Sequence, residues 1–230
     1  MQKQNRMTFR LLAAVLAAGA LTATADDVKD VLARMDREAA GFHQISARLK
    51  KTEFTAVVDD VSVESGRMWL LRKGHAVTMR VEIDVPQPKS VGVVESRAEV
   101  YYPKMNTVQI YDLGKAGALV DQFLALGFGS LGSDLQKNYT VKLDGEETIN
   151  GEKTTRLRLT PRSAKVQEQI KEVELWIPLN AGHAVQQKVT EPGGNYHLFS
   201  YAEMKLNPGL PESAFRLKLP PDVKKEYPQK

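Results

Sequence analysis

The sequence predicts a mainly β protein with helices: a many-stranded antiparallel sheet that curls into a barrel or folds into a sandwich, with an N-terminal amphipathic helix and a short apolar helix able to cover its open side. Three observations lead there. Apolar and polar residues alternate along much of the chain after Gly41. Turn chemistry recurs between the alternating runs at roughly 8–15 residue spacing, without intervening helices, which is the pattern of an antiparallel meander. A sheet of that many strands must curl or divide.

The front of the chain reads as an export signal. Lys3, Arg6 and Arg10 precede the apolar run Leu11–Leu21, and Ala23-Thr24-Ala25 places small residues before Asp26. The run is short for a bilayer span. The expected layout is a signal peptide over residues 1–25, cleaved after Ala25, and one half-barrel domain over 26–230, exported to a bacterial periplasm. This also disposes of the basic isoelectric point of about 9.1. Residues 1–25 hold three basic residues and no acid, leaving 29 Lys and Arg against 28 Asp and Glu, a net charge of +1. A nearly neutral mature chain gives no support to a nucleic-acid partner. The chain has no cysteine, which excludes disulfides, thiolate metal sites and cysteine nucleophiles.

Asp26 and Asp27 suit a helix N-cap. Val28, Val31, Leu32, Met35 and Ala39 then recur at helical spacing, predicting a helix over 27–40 with Gly41 as its stop. Ile45, Ala47 and Leu49 begin the strand pattern. Val77, Met79, Val81, Ile83 and Val85 alternate with Thr78, Arg80, Glu82 and Asp84 until Pro86 and Pro88 end the run. Val100 and Tyr102 lead through a turn at Pro103–Asn106 to Val108 and Ile110. Later runs are Val141/Leu143, Leu157/Leu159, Val173/Leu175/Ile177, Val185/Val189 and Tyr196/Leu198. Turns are expected at Asp144-Gly145, Asn150-Gly151, Asn180–Gly182 and Pro192–Asn195. One segment breaks the pattern. Lys115–Leu126 carries Ala116, Leu119, Val120, Phe123, Leu124 and Leu126 and reads as an apolar helix among glycines. The tail, Pro220–Lys230, reads as irregular.

Motifs for catalysis are lacking. The histidines, His43, His75, His183 and His197, have no metal-ligand spacing. Gly127-Phe128-Gly129-Ser130-Leu131-Gly132 matches a dinucleotide loop by letter, but an apolar helix precedes it instead of a strand, so it reads as a hinge or loop. No nucleophile elbow or phosphate loop occurs. Glu146/Glu147 and Glu172/Glu174 read as solvated charge. The expectation is a binding protein, not an enzyme, with no metal and no cofactor. A curled sheet with an apolar concave face is suited to an apolar ligand.

Over roughly 27–223 the chain resembles the bacterial outer-membrane lipoprotein carrier family, the LolA-like proteins. The helix before Phe42-His43 is similar to the family's opening. Gly66-Arg67-Met68-Trp69-Leu70-Leu71-Arg72 resembles its G-x-[ML]-W-x-x-R strand, and Glu99-Val100-Tyr101-Tyr102-Pro103 resembles a later hairpin. Glu174–Ile177, Gly194–Tyr196, Lys205–Asn207 and Phe215–Leu217 resemble its terminal strands in order. The resemblance implies an incomplete antiparallel β-barrel, a curled sheet covered by the N-terminal helix and a short apolar lid helix, that shields acyl chains of lipoproteins or lipids. It would receive them from an inner-membrane ABC-type extraction complex and pass them to an outer-membrane acceptor.

The family's latch arginine, which ties the lid helices closed from within, falls on Arg72, followed here by Lys73-Gly74 instead of the usual proline. Met68 and Leu70 share its face, and Met79 suits an adaptable lining. Leu119, Val120, Phe123 and Leu124 would form the second lid element. The alternatives are a LolA-like module that binds another amphiphile, such as a glycolipid, and a sensor or scaffold that docks an envelope membrane protein.

Overall fold

A computed structural model describes residues 27–114, 117, 120 and 124–229. The expected signal peptide, Leu119 and Phe123 lie outside the described residues. Helix α1 spans Val28–Gly41 and is capped by the Asp27 carboxylate, which accepts from the Asp30 N–H at 2.8 Å. Val31, Leu32, Met35 and Ala39 are its buried stripe. Gly41 is not the left-handed stop that its identity suggested. It remains helical, and the chain leaves the helix at Phe42 in extended conformation, with the Phe42 side chain in the core. Asn207 then donates to the Gly41 carbonyl.

Twelve strands form one sheet: β1 Gln44–Thr55, β2 Asp60–Lys73, β3 Ala76–Val85, β4 Lys89–Val94, β5 Arg97–Tyr102, β6 Thr107–Asp112, β7 Tyr139–Ile149, β8 Glu152–Pro161, β9 Glu172–Pro178, β10 Gln186–Thr190, β11 Tyr196–Leu206 and β12 Lys224–Glu226. The order is β12-β6-β5-β4-β3-β2-β1-β11-β10-β9-β8-β7. Two meanders are thus joined where β1 pairs with β11, and the sheet is open, with β12 and β7 as its edges. Two short helices follow the apolar segment and β8: α2 Gly132–Asn138 and α3 Ala164–Gln167.

Three sequence expectations are corrected. Asp144-Gly145 is not a turn: β7 runs through it as a bulge between Leu143 and Glu146, with Gly145 at φ 89°. The hairpin turn is made instead by Asn150 and Gly151, both at positive φ, as that dipeptide predicts. Glu174 is not solvated but buried, with Arg156 and Lys188 beside it at 3.7 and 3.5 Å. The tail is not irregular throughout, because β12 adds in parallel to β6. On the way it buries Phe215 and packs Leu217 against Gly92 of β4.

Among the described residues there are two large apolar clusters and a small third one of Ile149, Trp176 and Val185. One of the large clusters lies between α1, α2 and strands β7 to β10 and includes Met35, Leu135, Leu157 and Leu175. The other lies under strands β1 to β3 and includes Ile45, Met68, Leu70 and Val77. Phe199 of β11 packs against both. The glycine that opens the β2 motif has a steric reason. Gly66 sits at a register shift between β2 and β3, where a Cβ would come 1.8 Å from the Glu82 carbonyl oxygen.

α1 is fixed by its polar side as well. Glu38 accepts from the Gly182 N–H at 3.0 Å and pairs with His183 Nδ1 at 2.6 Å, and Arg34 donates to the Ala181 carbonyl. Burial alone would raise the Glu38 carboxyl, but the His183 ring and the Gly182 N–H outweigh it and hold the group below its ordinary 4.5.

Both the steric contact and the ion pair can be tested by substitution. Gly66→Ala is expected to destabilise the protein by roughly 2 kcal/mol or more, read from urea unfolding, because backbone must move to admit the methyl group. For Glu38, a carboxylate held low in the fold adds stability above its unfolded value and loses it as pH falls through the folded one. Glu38→Gln should therefore lower the thermal midpoint near pH 7, with the gap to the parent closing below about pH 4. A gap that stays constant with pH would remove the ion pair as its cause.

Candidate functional site

The concave face of the sheet is built from the inward alternation of its strands. Met68 and Leu70 of β2 are buried there, and Leu70 lies opposite the half-buried Met79 of β3. Arg72 continues the same face, opposite Val77. Four of the expected residues, Met68, Leu70, Met79 and Arg72, are therefore neighbours. Of the expected lid residues, Leu124 packs against the same cluster. Val120 is half-buried and helical.

Arg72 is half-buried and points inward. Its Nη2 donates to the Ala39 carbonyl at 3.0 Å, and its Nη1 donates to the Gly129 carbonyl. Its guanidinium carbon lies 5.7 Å from the centre of the Phe42 ring. One side chain of β2 thus joins the C-terminal turn of α1 to the loop that follows the apolar segment. α1 has no basic residue in its own last turn. Arg72 supplies the positive charge that the unpaired carbonyls and dipole of that helix end favour.

The loop can approach because Gly129 has φ 79° and no side chain. A Cβ there would collide with the Arg72 guanidinium and the Phe42 ring. Between Gly127 and Gly129, Phe128 is driven into the interior, where it is 2% exposed and meets Tyr201 edge-on at 4.9 Å between ring centres. The loop is held a second time by the Ala184 N–H, which donates to the Gly127 carbonyl at 2.9 Å. The hinge-or-loop reading of this stretch overlooks Phe128. The available signal was a large aromatic residue isolated between glycines, where solvent exposure would be costly.

Beside the latch a cleft of about 410 Å³ opens, lined among others by Ala39, Arg72, His75, Leu126, Gly129 and Leu135. Elsewhere on the concave face Leu124, Ala125 and Phe128 pack against the strands and cover part of it with the protein's own side chains. Its lining changes character along the strands. Beyond Leu49 the same face carries Lys51, Glu53, Glu64 and Lys89, joined by Lys51–Glu53 and Lys89–Glu64 ion pairs at 2.7 and 2.5 Å. Among the described residues no cluster of acidic and histidine side chains is arranged to hold a metal ion.

An open, curled, mostly antiparallel sheet covered by helices and latched from inside is a half-barrel. No family model matches the chain. Over 108 residues it is 35% identical to an outer-membrane lipoprotein carrier protein of Cupriavidus pinatubonensis (strain JMP 134 / LMG 1197), covering 45% of this chain and 44% of that protein. The match thus spans less than half of the curated relative. That relative carries the name of the family that the strand motifs resemble. Among solved structures, an uncharacterized conserved protein from Thermus thermophilus aligns at TM-score 0.55 and 13% identity, over 88% of this chain and 99% of that one. MucB aligns at TM-score 0.52 and 17% identity, over 85% of this chain and 64% of that one. At these identities the two structures share the fold.

Arg72→Leu is expected to keep the fold while lowering stability by about 2 kcal/mol, the loss of two hydrogen bonds. Amide exchange over residues 124–131 should accelerate more than exchange in the first turns of α1. Unchanged exchange in that loop would remove Arg72 from its closure.

Proposed function

We propose that this chain is a periplasmic carrier of acylated molecules. It holds the acyl chains of a lipoprotein or lipid on the concave face of the half-barrel and moves them from the inner to the outer membrane. The observation that carries this reading is the latch: an inward arginine binding backbone carbonyls of both covering elements, over a face lined with apolar residues. Such a closure opens without breaking any strand pairing. The similarity to a lipoprotein carrier supports the same reading.

The energetics favour a gated exchange. Opening breaks two hydrogen bonds at about 1 kcal/mol each and exposes Phe128, which costs up to about 3 kcal/mol. An entering chain returns about 0.8 kcal/mol per buried CH₂. A handful of methylene groups therefore repays the opening. Met68 and Met79 suit chains of varied length and position. In this reading the inner-membrane donor is an ABC-type extraction complex and the recipient an outer-membrane acceptor.

A second reading, a module that docks a membrane protein of the envelope, draws on two features. The concave face is partly covered at rest, and the β1–β2 hairpin exposes Val57, Val58, Val61 and Val63. Native mass spectrometry of the chain purified from periplasm without detergent separates the two. The carrier reading expects an added mass that dissociates as a lipid or an acylated peptide. A bare mass that stays bare after incubation with a triacylated peptide and phospholipid vesicles would overturn it in favour of docking.

A further inference from the structure

The interior contains one polar pair that neither the latch nor the packing accounts for. Gln187 of β10 is 4% exposed and Tyr201 of β11 is 6% exposed. Both lie on the concave face: Gln187 is opposite Leu175 on one side and Phe199 on the other, and Tyr201 is opposite Leu49. The Tyr201 hydroxyl donates to Gln187 Oε1 at 3.4 Å. The Gln187 amide nitrogen is buried and has no hydrogen-bond partner among the described residues.

A buried amide N–H without an acceptor is costly and uncommon, and each instance needs a reason. Packing does not supply one, since leucine or methionine fills a similar volume without the penalty. The position does. Phe128, the ring carried by the latched loop, lies directly against Tyr201. When that loop lifts, the ring against Tyr201, the hydrogen-bond partner of Gln187, leaves with it. What then borders the vacated space is Tyr201 with its partner amide, a donor flanked in register by Leu175 and Phe199. An alkyl chain alone cannot satisfy this group. The ligand that does is apolar with a single acceptor at its polar end, and an ester or amide carbonyl at the head of an acyl chain has that form.

We propose that Gln187, positioned by Tyr201 beneath Phe128, is the subsite for the carbonyl oxygen of an acylated ligand, donating its free amide N–H to an ester or amide carbonyl. The inference rests on the carrier reading and deepens it. The subsite distinguishes acyl from alkyl chains and fixes how far a chain enters the trough. It also gives the empty and closed protein a reason to hold an unsatisfied donor: the hydrogen bond forms only with cargo in place.

The test compares dipalmitoylglycerol with its diether counterpart, dihexadecylglycerol, which has the same chains and no carbonyl. Both are offered to the full exported chain and to Gln187→Leu in a competition assay. The parent should bind the diester about fivefold more tightly, the worth of one hydrogen bond of ordinary strength. In Gln187→Leu the preference should fall to near unity, with diether affinity retained. As a readout that needs no variant, the ester carbonyl infrared band of bound dipalmitoylglycerol should lie lower in wavenumber than that of the same lipid in hydrocarbon solvent. Equal affinities in the parent, a preference that survives in Gln187→Leu, or an unshifted carbonyl band would each overturn the proposal. Failure of the parent to bind either lipid is a different result, which overturns the carrier reading and the subsite with it.

Discussion

A guanidinium placed inside a half-barrel constrains everything around it. Arg72 lies in line with Met68 and Leu70, so its charge is directed toward the apolar side of the sheet. It cannot remain there unpaired, because an unsatisfied charge in such surroundings costs several kcal/mol. The groups that satisfy it are backbone carbonyls with a lone pair to spare, and that of Ala39 also accepts from the Phe42 N–H at 3.4 Å. The end of α1 offers the Ala39 carbonyl, and the loop at Gly129 offers another. The arginine therefore determines where α1 ends relative to β2. It also requires that the loop pass close enough for a glycine to be needed at 129.

The two covering elements are not held alike. α1 is tied to the β9–β10 connection through Glu38 and Arg34, to the end of β11 through Asn207, and to α2 through the Asp36 carboxylate, which accepts from the Gly132 N–H at 2.6 Å. Its apolar stripe is buried in addition. The loop around Phe128 is tied to the remainder of the protein by the hydrogen bonds at Gly127 and Gly129 and by one buried ring. Opening by way of the loop breaks fewer of these polar ties than opening by way of α1, and the one member of the first apolar cluster it carries is Leu126. The half-barrel thus has a fixed wall and a lighter cover, with Arg72 in contact with both.

The parts of this fold that the sequence reveals are those governed by local rules. β3 is legible because one face of it is in the interior and the other is polar, which enforces a period of two over Val77–Val85. α1 is legible from its cap and stripe. Arg72 is legible from parity together with its strand motif. What is not legible depends on distant partners. β12 is three residues long and exists because β6 has a free edge. Asp144-Gly145 has the chemistry of a turn, but the continuing β7–β8 ladder turns it into a bulge. The Glu38–His183 pair joins residues 145 positions apart. Gln187 resembles any polar strand residue until the burial of its neighbours is known.

A trough that is partly covered at rest fits a carrier better than an empty one. An apolar cavity open to water would bind acyl chains with the full free energy of their transfer, and at about 0.8 kcal/mol per CH₂ two or three chains would be held almost irreversibly. In the proposed carrier an entering chain would displace Phe128 and its neighbours from surfaces that they already cover. The net gain would be the difference between two apolar contacts, reduced further by the Arg72–Gly129 and Ala184–Gly127 hydrogen bonds that lifting the loop breaks. Affinity would thereby be brought into a range in which a receiving surface can compete for the cargo. In that proposal the same displacement would make release favourable to the protein itself, since Phe128 returns to Tyr201 and Arg72 regains the Gly129 carbonyl when the chain departs.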